Sequence, residues 1–187
     1  PMHAPATGRV EAIELMPTAR GPKTLSLVLH VYEGSTQQVL YGSARDVERM
    51  TPDGIIQAVQ DAGMVGLGGA AFPTHVKMKP PPEHSVDTLV VNGCECEPYL
   101  TCDHRLMLEQ TGHLLAGIGI VMRALGVDRC MIGVENNKPD AVAAIAARLP
   151  GDGRISVHAV QTKYPQGAEK MLIESLLGEQ IPEGGLP

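Results

Sequence analysis

Aromatic rings are scarce in this 187-residue chain: one phenylalanine, four tyrosines and no tryptophan, 3% of all positions. A surface that stacks successive bases of a single strand needs more rings than that. Positive charge is thin as well, with 15 lysines and arginines against 21 acidic residues and no dense basic patch. Nucleic acid is therefore not an expected partner. No apolar run reaches the length that spans a bilayer. The most apolar helical stretch, 114–125, is short and carries Arg123, so direct insertion of this chain into a membrane is not expected. No signal peptide is visible at the N-terminus. The four cysteines, Cys94, Cys96, Cys102 and Cys130, do not space out like a secreted disulfide framework, which points to a reducing compartment.

What is present is a globular composition, 43% hydrophobic, in a length that suits one domain with a small appendage. Residues 1–45 read as a β-rich segment. A turn at 3–10 leads into a strand, and 25–32 places Leu25, Leu27, Leu29 and Val31 on one face. Residues 46–50 and 51–62 read as short helices, the second with Thr51 as cap and Pro52 at its first position. From residue 86 onward the order is strand (88–91), helix (103–125, capped by Asp103 and ended by Gly126), strand (129–134), helix (139–149), strand (155–160) and helix (166–177, ended by Gly178). That alternation predicts an α/β domain over 46–187, a parallel sheet flanked by helices. Ligands of such sheets bind outside the carboxyl ends of the strands. Two loops fall there, 92–103 and 163–169. The run opens on Pro1 and stops in Gly184-Gly185-Leu186-Pro187, which reads as part of a longer polypeptide.

Gly66, Gly68 and Gly69 lack the Cβ atoms that keep a ligand away from the backbone, and Lys77 follows them as a point charge suited to phosphate. Phe72, beside the glycines, can stack on a flat ring. The same residues also suit a flexible turn, a core plug and a solvated lysine. Glu95 and Glu97 share a face if their segment is extended, so their carboxylates can hold ribose hydroxyls or a ring amide; an acidic surface loop has the same composition. Cys94-x-Cys96 with Cys102 does not match the spacing of a zinc or iron–sulfur site, and no metal is expected. No catalytic triad can be read from spacing, and no acid or base is assigned.

The stretches G-L-G-G-A-A-F-P-T-H-V-K at 66–77, N-G-C-E-C-E-P-Y-L-T-C-D-H-R-L-M at 92–107 and K-Y-P-Q-G-A-E-K at 163–170, in that order, resemble the C subunit of the Rnf ion-translocating electron-transport complex. More distantly they resemble the flavin-bearing NADH-binding subunit of respiratory complex I and the cobalamin reductase of propanediol-utilising compartments. The resemblance implies a Rossmann-like flavin-binding domain of the complex I type, with a barrel-sandwich-like segment at 1–45. By matching position, Gly66, Gly68, Gly69 and Lys77 would line the FMN phosphate and ribityl chain. Asn92, Glu95 and Glu97 would contact flavin or NADH, Phe72 would stack on NADH, and Tyr164, Gly167 and Glu169 would close the flavin site. Leu67, Cys94, Tyr99 and Ala168 stand where complex I has Arg, Asp, Gly and Glu, which favours the Rnf-like branch.

What this implies is a subunit that exchanges hydride between NAD(H) and FMN and passes electrons to iron–sulfur centres. Its [4Fe–4S] clusters and one further flavin-binding segment would lie beyond Pro187. Its partners would be NADH and the other subunits of a membrane complex, on the cytoplasmic side of the inner membrane and peripheral to it. An NADH-dependent cobalamin reductase and a non-catalytic docking module are the other readings.

Overall fold

The computed structural model describes residues 3–18, 21–35, 44–67 and 71–185. Two compact units make up the chain, residues 1–46 and 47–187.

In the first unit, β1 (Gly8–Thr18) and β2 (Gly21–Val31) form a two-stranded antiparallel sheet. Val10 faces Leu29, Ile13 faces Leu27 and Leu15 faces Leu25, so the apolar stripe read from 25–31 continues onto β1. The ladder is irregular between Val10 and Ala12, which keeps Val10 in step with that stripe. Among the described residues this unit shows no further strand of a barrel.

The second unit begins with a 3₁₀ turn, Val47–Arg49, where the sequence suggested a short helix. Then comes α1 (Pro52–Asp61), which starts as its sequence dictates: the Thr51 hydroxyl accepts the Gly54 N–H at 3.1 Å, and Pro52 needs no donor there. A short α2 (Thr74–Lys77) follows the glycine loop; the propensities of so brief a segment do not announce it. Next are β3 (Thr88–Gly93), α3 (Cys102–Glu109), α4 (Thr111–Leu125), β4 (Arg129–Glu135), α5 (Pro139–Ala146), β5 (Ile155–Val160) and α6 (Glu169–Leu177). The strands lie parallel in the order β3-β4-β5, Val90 beside Met131 and Ile132 beside Val157.

One side of the sheet packs on α3, α4 and α5 through Met107, Ile118, Met122, Ile132, Val134, Ala141 and Ile145. The other packs on α6, through Cys94, Val160 and Leu172. Gly133 lets α6 come close, because a Cβ there would meet Leu172 Cδ1 at 2.6 Å.

Three boundaries differ from the sequence expectation. The long helix over 103–125 is broken at Gln110 (φ −124°, ψ 26°). There the Thr111 hydroxyl donates to the Met107 carbonyl at 2.5 Å, the back-bonding by which threonine competes with the helical ladder. Asp103 does not cap α3; the Glu95 carboxylate does. And α6 starts at Glu169, not at 166, because Lys163–Ala168 closes as a turn, the Gln166 N–H donating to the Lys163 carbonyl and the Ala168 N–H to the Pro165 carbonyl, each at 2.8 Å. Gly126 and Gly178, both near φ +69°, terminate α4 and α6 as expected.

Candidate functional site at the carboxyl ends of the strands

The glycine loop closes on itself. Gly66 N–H donates to the Phe72 carbonyl at 2.8 Å, and Thr74 N–H to the Met64 carbonyl at 3.0 Å. Gly68 and Gly69 lie outside the described residues. Gly66 has room for a side chain: an added Cβ would make ordinary contact with Phe72 O at 3.8 Å. From this loop α2 carries Lys77 to the rim. Its ammonium lies 5.9 Å from the Phe72 ring centroid and 2.8 Å from Glu169 Oε1. Phe72 is half-exposed, and both partners of the ion pair are more than half exposed. Residues 92 positions apart in sequence thus join the first motif to the third.

Asn92 joins the second to the third. As the penultimate residue of β3 it stands at the sheet's carboxyl edge, its Oδ1 accepting the Cys94 N–H at 3.1 Å and its Nδ2 donating to the Gly167 carbonyl at 2.8 Å. Gly167 packs so closely on the second loop that an added Cβ would lie 3.3 Å from Cys96 Sγ. Tyr164 is exposed on the same turn. Below it the Gln166 side chain is fully buried; Nε2 donates to Ser175 Oγ, and Oε1 has no donor among the described residues. That leaves one acceptor to be met by an ordered water or a ligand N–H.

Glu95 differs from the role its pattern suggested. An extended segment would have put it on one face with Glu97, but only Glu97 is exposed. Glu95 is 7% exposed and turned inward. Its carboxylate accepts the N–H groups of Asp103 at 2.9 Å and His104 at 3.4 Å, so it is the N-terminal cap of α3, delivered from an earlier loop. Its own N–H donates to Glu135 Oε2 at 3.1 Å, and Lys138 Nζ lies 2.8 Å from the same oxygen. Sequence reasoning missed Glu135 and Lys138. The available signal was a charged residue ending the otherwise apolar strand M-I-G-V-E.

Burial pushes the Cys94 thiol up to about 11, helped by the Glu135 and Cys96 charges and opposed by Lys138. Such a thiol stays protonated and packs as a small hydrophobe. Glu95, Cys102 and Asp103 could together offer atoms to a cation. The Glu95 oxygens, however, are already engaged by backbone N–H groups.

Burial first, then Glu95 and Glu97, raise the Asp103 carboxyl above its ordinary value. The folded chain therefore keeps that proton over a pH window in which the unfolded chain has lost it, and stability falls as pH rises through the window. The penalty is fully present above the folded pKa and absent below the unfolded one. Asp103→Asn is expected to stabilise the domain at neutral pH, with the gain vanishing in acid. Urea unfolding at both pH values checks this.

A cavity of about 110 Å³ opens beside Asn92, between β3 and the α3–α4 pair, lined by Gly93, Asp103, Leu106 and Met107 among others. It does not include Phe72, Lys77 or Glu169. Those three, with Asn92 and Gly167, form an open rim, not an enclosed pocket. The class this defines is a parallel α/β domain whose polar rim joins a glycine loop, a cation and a half-exposed ring at the strands' carboxyl ends.

The chain belongs to the family described as the Nuo51 FMN-binding domain, whose model matches residues 59–187. It is 44% identical over 187 residues to the C subunit of the Na(+)-translocating ferredoxin:NAD(+) oxidoreductase complex of Acetobacterium woodii, covering all of this chain and 42% of that protein. It is 37% identical over 185 residues to the C subunit of the ion-translocating oxidoreductase complex of Haemophilus influenzae strain 86-028NP, covering 98% of this chain and 28% of that one. Among solved structures, an air-oxidised NAD+-reducing [NiFe]-hydrogenase aligns with a TM-score of 0.61 at 32% identity, over 68% of this chain and 24% of that one. The chain thus spans less than half the length of these curated relatives.

The rim's donor set fits flavin mononucleotide. Lys77 offers an exposed cation of the kind that suits a phosphate, Gly66 a backbone without a side chain, Phe72 a half-exposed flat ring, and Asn92 a tie between two loops. No helix among the described residues is long and apolar enough to cross a membrane.

Proposed function

We propose that the rim binds FMN and that this domain serves electron transport between a nicotinamide nucleotide and iron–sulfur centres outside this sequence. The observation that carries the reading is the Phe72–Lys77–Glu169 contact. It brings the glycine loop and the 163–169 turn to one edge of the sheet, where Asn92 ties in the second motif. The family match and the names of the relatives, oxidoreductase complex subunits, support it.

Bound FMN supplies hydride exchange with NAD(H) and the release of single electrons. The residues of the chain bind and orient. Lys77 would hold the phosphate as a point charge, with Gly66, Gly68 and Gly69 giving the ribityl chain close access to the backbone. Phe72 would offer its face to the nicotinamide nucleotide. Asn92 and Gly167 fix the distance between the second and third loops, with Tyr164, Glu97 and Glu169 at the margin. Glu95 serves the site from below by starting α3. No side chain need move a proton in the hydride step. As part of one subunit of an ion-translocating complex, the domain would sit at the membrane's cytoplasmic face, held by partner subunits and not by its own helices.

Titration of the purified chain with FMN tests this. Binding is expected to quench flavin fluorescence and raise the melting temperature by linkage. NADH added without air is then expected to bleach the flavin absorption. A chain that leaves FMN fluorescence and its own melting temperature unchanged would sink the proposal.

A further inference from the structure

β4 ends in a charge that its apolar strand does not call for. The Glu135 side chain is 1% exposed and that of Lys138 9%. A buried ion pair adds little stability over an apolar pair of similar volume, because desolvation consumes most of the attraction. Its geometry suggests another use. One oxygen, Glu135 Oε2, accepts from Lys138 Nζ at 2.8 Å and from the Glu95 N–H at 3.1 Å. Lys138 also donates to Asn137 Oδ1 at 3.2 Å and stands at the N-cap position of α5. Through Glu95, whose carboxylate caps α3, a single oxygen links the end of β4, the start of α5, the 92–97 loop and the start of α3.

We propose that the Glu135–Lys138 pair is the positioning device of the rim: it pins the 92–97 loop to the end of β4 and sets the electrostatic potential under the place where FMN is held, a role that rests on the flavin reading above. Its charges bear on neighbouring groups. Both charges act on Cys94, Glu135 raising the thiol and Lys138 lowering it, and Lys138 also acts on Asp103 in the opposite sense to that residue's burial. Cys94 follows Asn92 by two positions, on the loop that the pair pins.

The Cys94 thiol is a probe that needs no cofactor. In the chain labelled with ¹³C at cysteine Cβ, its titration midpoint is expected to move down in Glu135→Gln, where the cation is left uncompensated, and up in Lys138→Met, where the carboxylate is. The doubly substituted chain is expected to fall between the two. With FMN bound, the flavin midpoint potential is expected to rise in Glu135→Gln and fall in Lys138→Met, since positive potential favours the electron-richer form. Shifts of the same sign in both variants, or none in either, overturn the proposal; a merely structural role predicts no such opposition. If a single variant fails to fold, the double variant must fold and restore slow hydrogen exchange at the Glu95 N–H, because the two losses are coupled. A double variant no more stable than the worse single one overturns it too. Wild-type chain that takes up no FMN defeats the flavin reading and leaves the thiol test standing.

Discussion

Lys77→Met is expected to weaken FMN binding by roughly ten- to a hundredfold while leaving resistance to urea nearly unchanged. The two halves of this expectation have different origins. In the free chain Lys77 lies 2.8 Å from Glu169, but both side chains are more than half exposed. A pair of that kind is worth about 0–1 kcal/mol, and a cation 5.9 Å from the Phe72 centroid adds a similarly small amount. Removing the ammonium therefore costs the fold little. A phosphate facing the rim would lose a charge-assisted hydrogen bond, worth about 1.5–3 kcal/mol. Glu169→Gln separates the two effects. It removes the partner of Lys77 and keeps the cation. If affinity fell in Lys77→Met only because the rim contact had been broken, Glu169→Gln would lose as much. Fluorescence titration of both variants, beside urea curves, decides it; FMN affinity unchanged in Lys77→Met would remove Lys77 from the site.

The elements that set this rim were readable in sequence to very different degrees. The strands β3, β4 and β5 were legible because each is a short apolar run bounded by turn formers. The ends of α4 and α6 were legible because Gly126 and Gly178 supply a positive φ that other residues adopt at a cost. Thr51 was legible because its cap is local, three residues from the donor it satisfies. What escaped depends on side-chain partners that apolar periodicity does not reveal, some of them far apart in the chain. The break at Gln110 comes from a threonine hydroxyl that outcompetes a backbone donor, which no apolar periodicity reveals. The true cap of α3 lies eight residues upstream of the N–H it meets, so the local candidate, Asp103, looked sufficient. Glu135 and Lys138 become a pair with a purpose only once β4 lies beside β3. The motifs of the candidate site were legible individually. Their meeting was not, because the Lys77–Glu169 and Asn92–Gly167 contacts require the sheet to exist first.

Glu95→Ala is expected to cost about 2–4 kcal/mol of stability. Removal of a helix cap costs about 0.5–2 kcal/mol, and a donor left unmet where water enters poorly adds about 1–3. Both apply, since the Glu95 carboxylate serves the N–H groups of Asp103 and His104 and is itself 7% exposed. For a chain of this length, about 1 kcal/mol corresponds to about 2–4 °C in melting temperature, so the variant should melt several degrees early. One term works the other way. Glu95 raises the Asp103 carboxyl, second only to burial, and removing it relieves that repulsion at neutral pH. Glu95→Ala should thus bring the Asp103 carboxyl back toward its ordinary value even as the domain weakens. Carboxyl ¹³C titration follows the first effect, and urea unfolding with hydrogen exchange at Asp103 and His104 follows the second. An unchanged melting temperature with slow exchange at both amides would show that α3 starts without Glu95. In that case its carboxylate would be free to turn outward to the nucleotide, as its place beside Glu97 in the sequence first suggested.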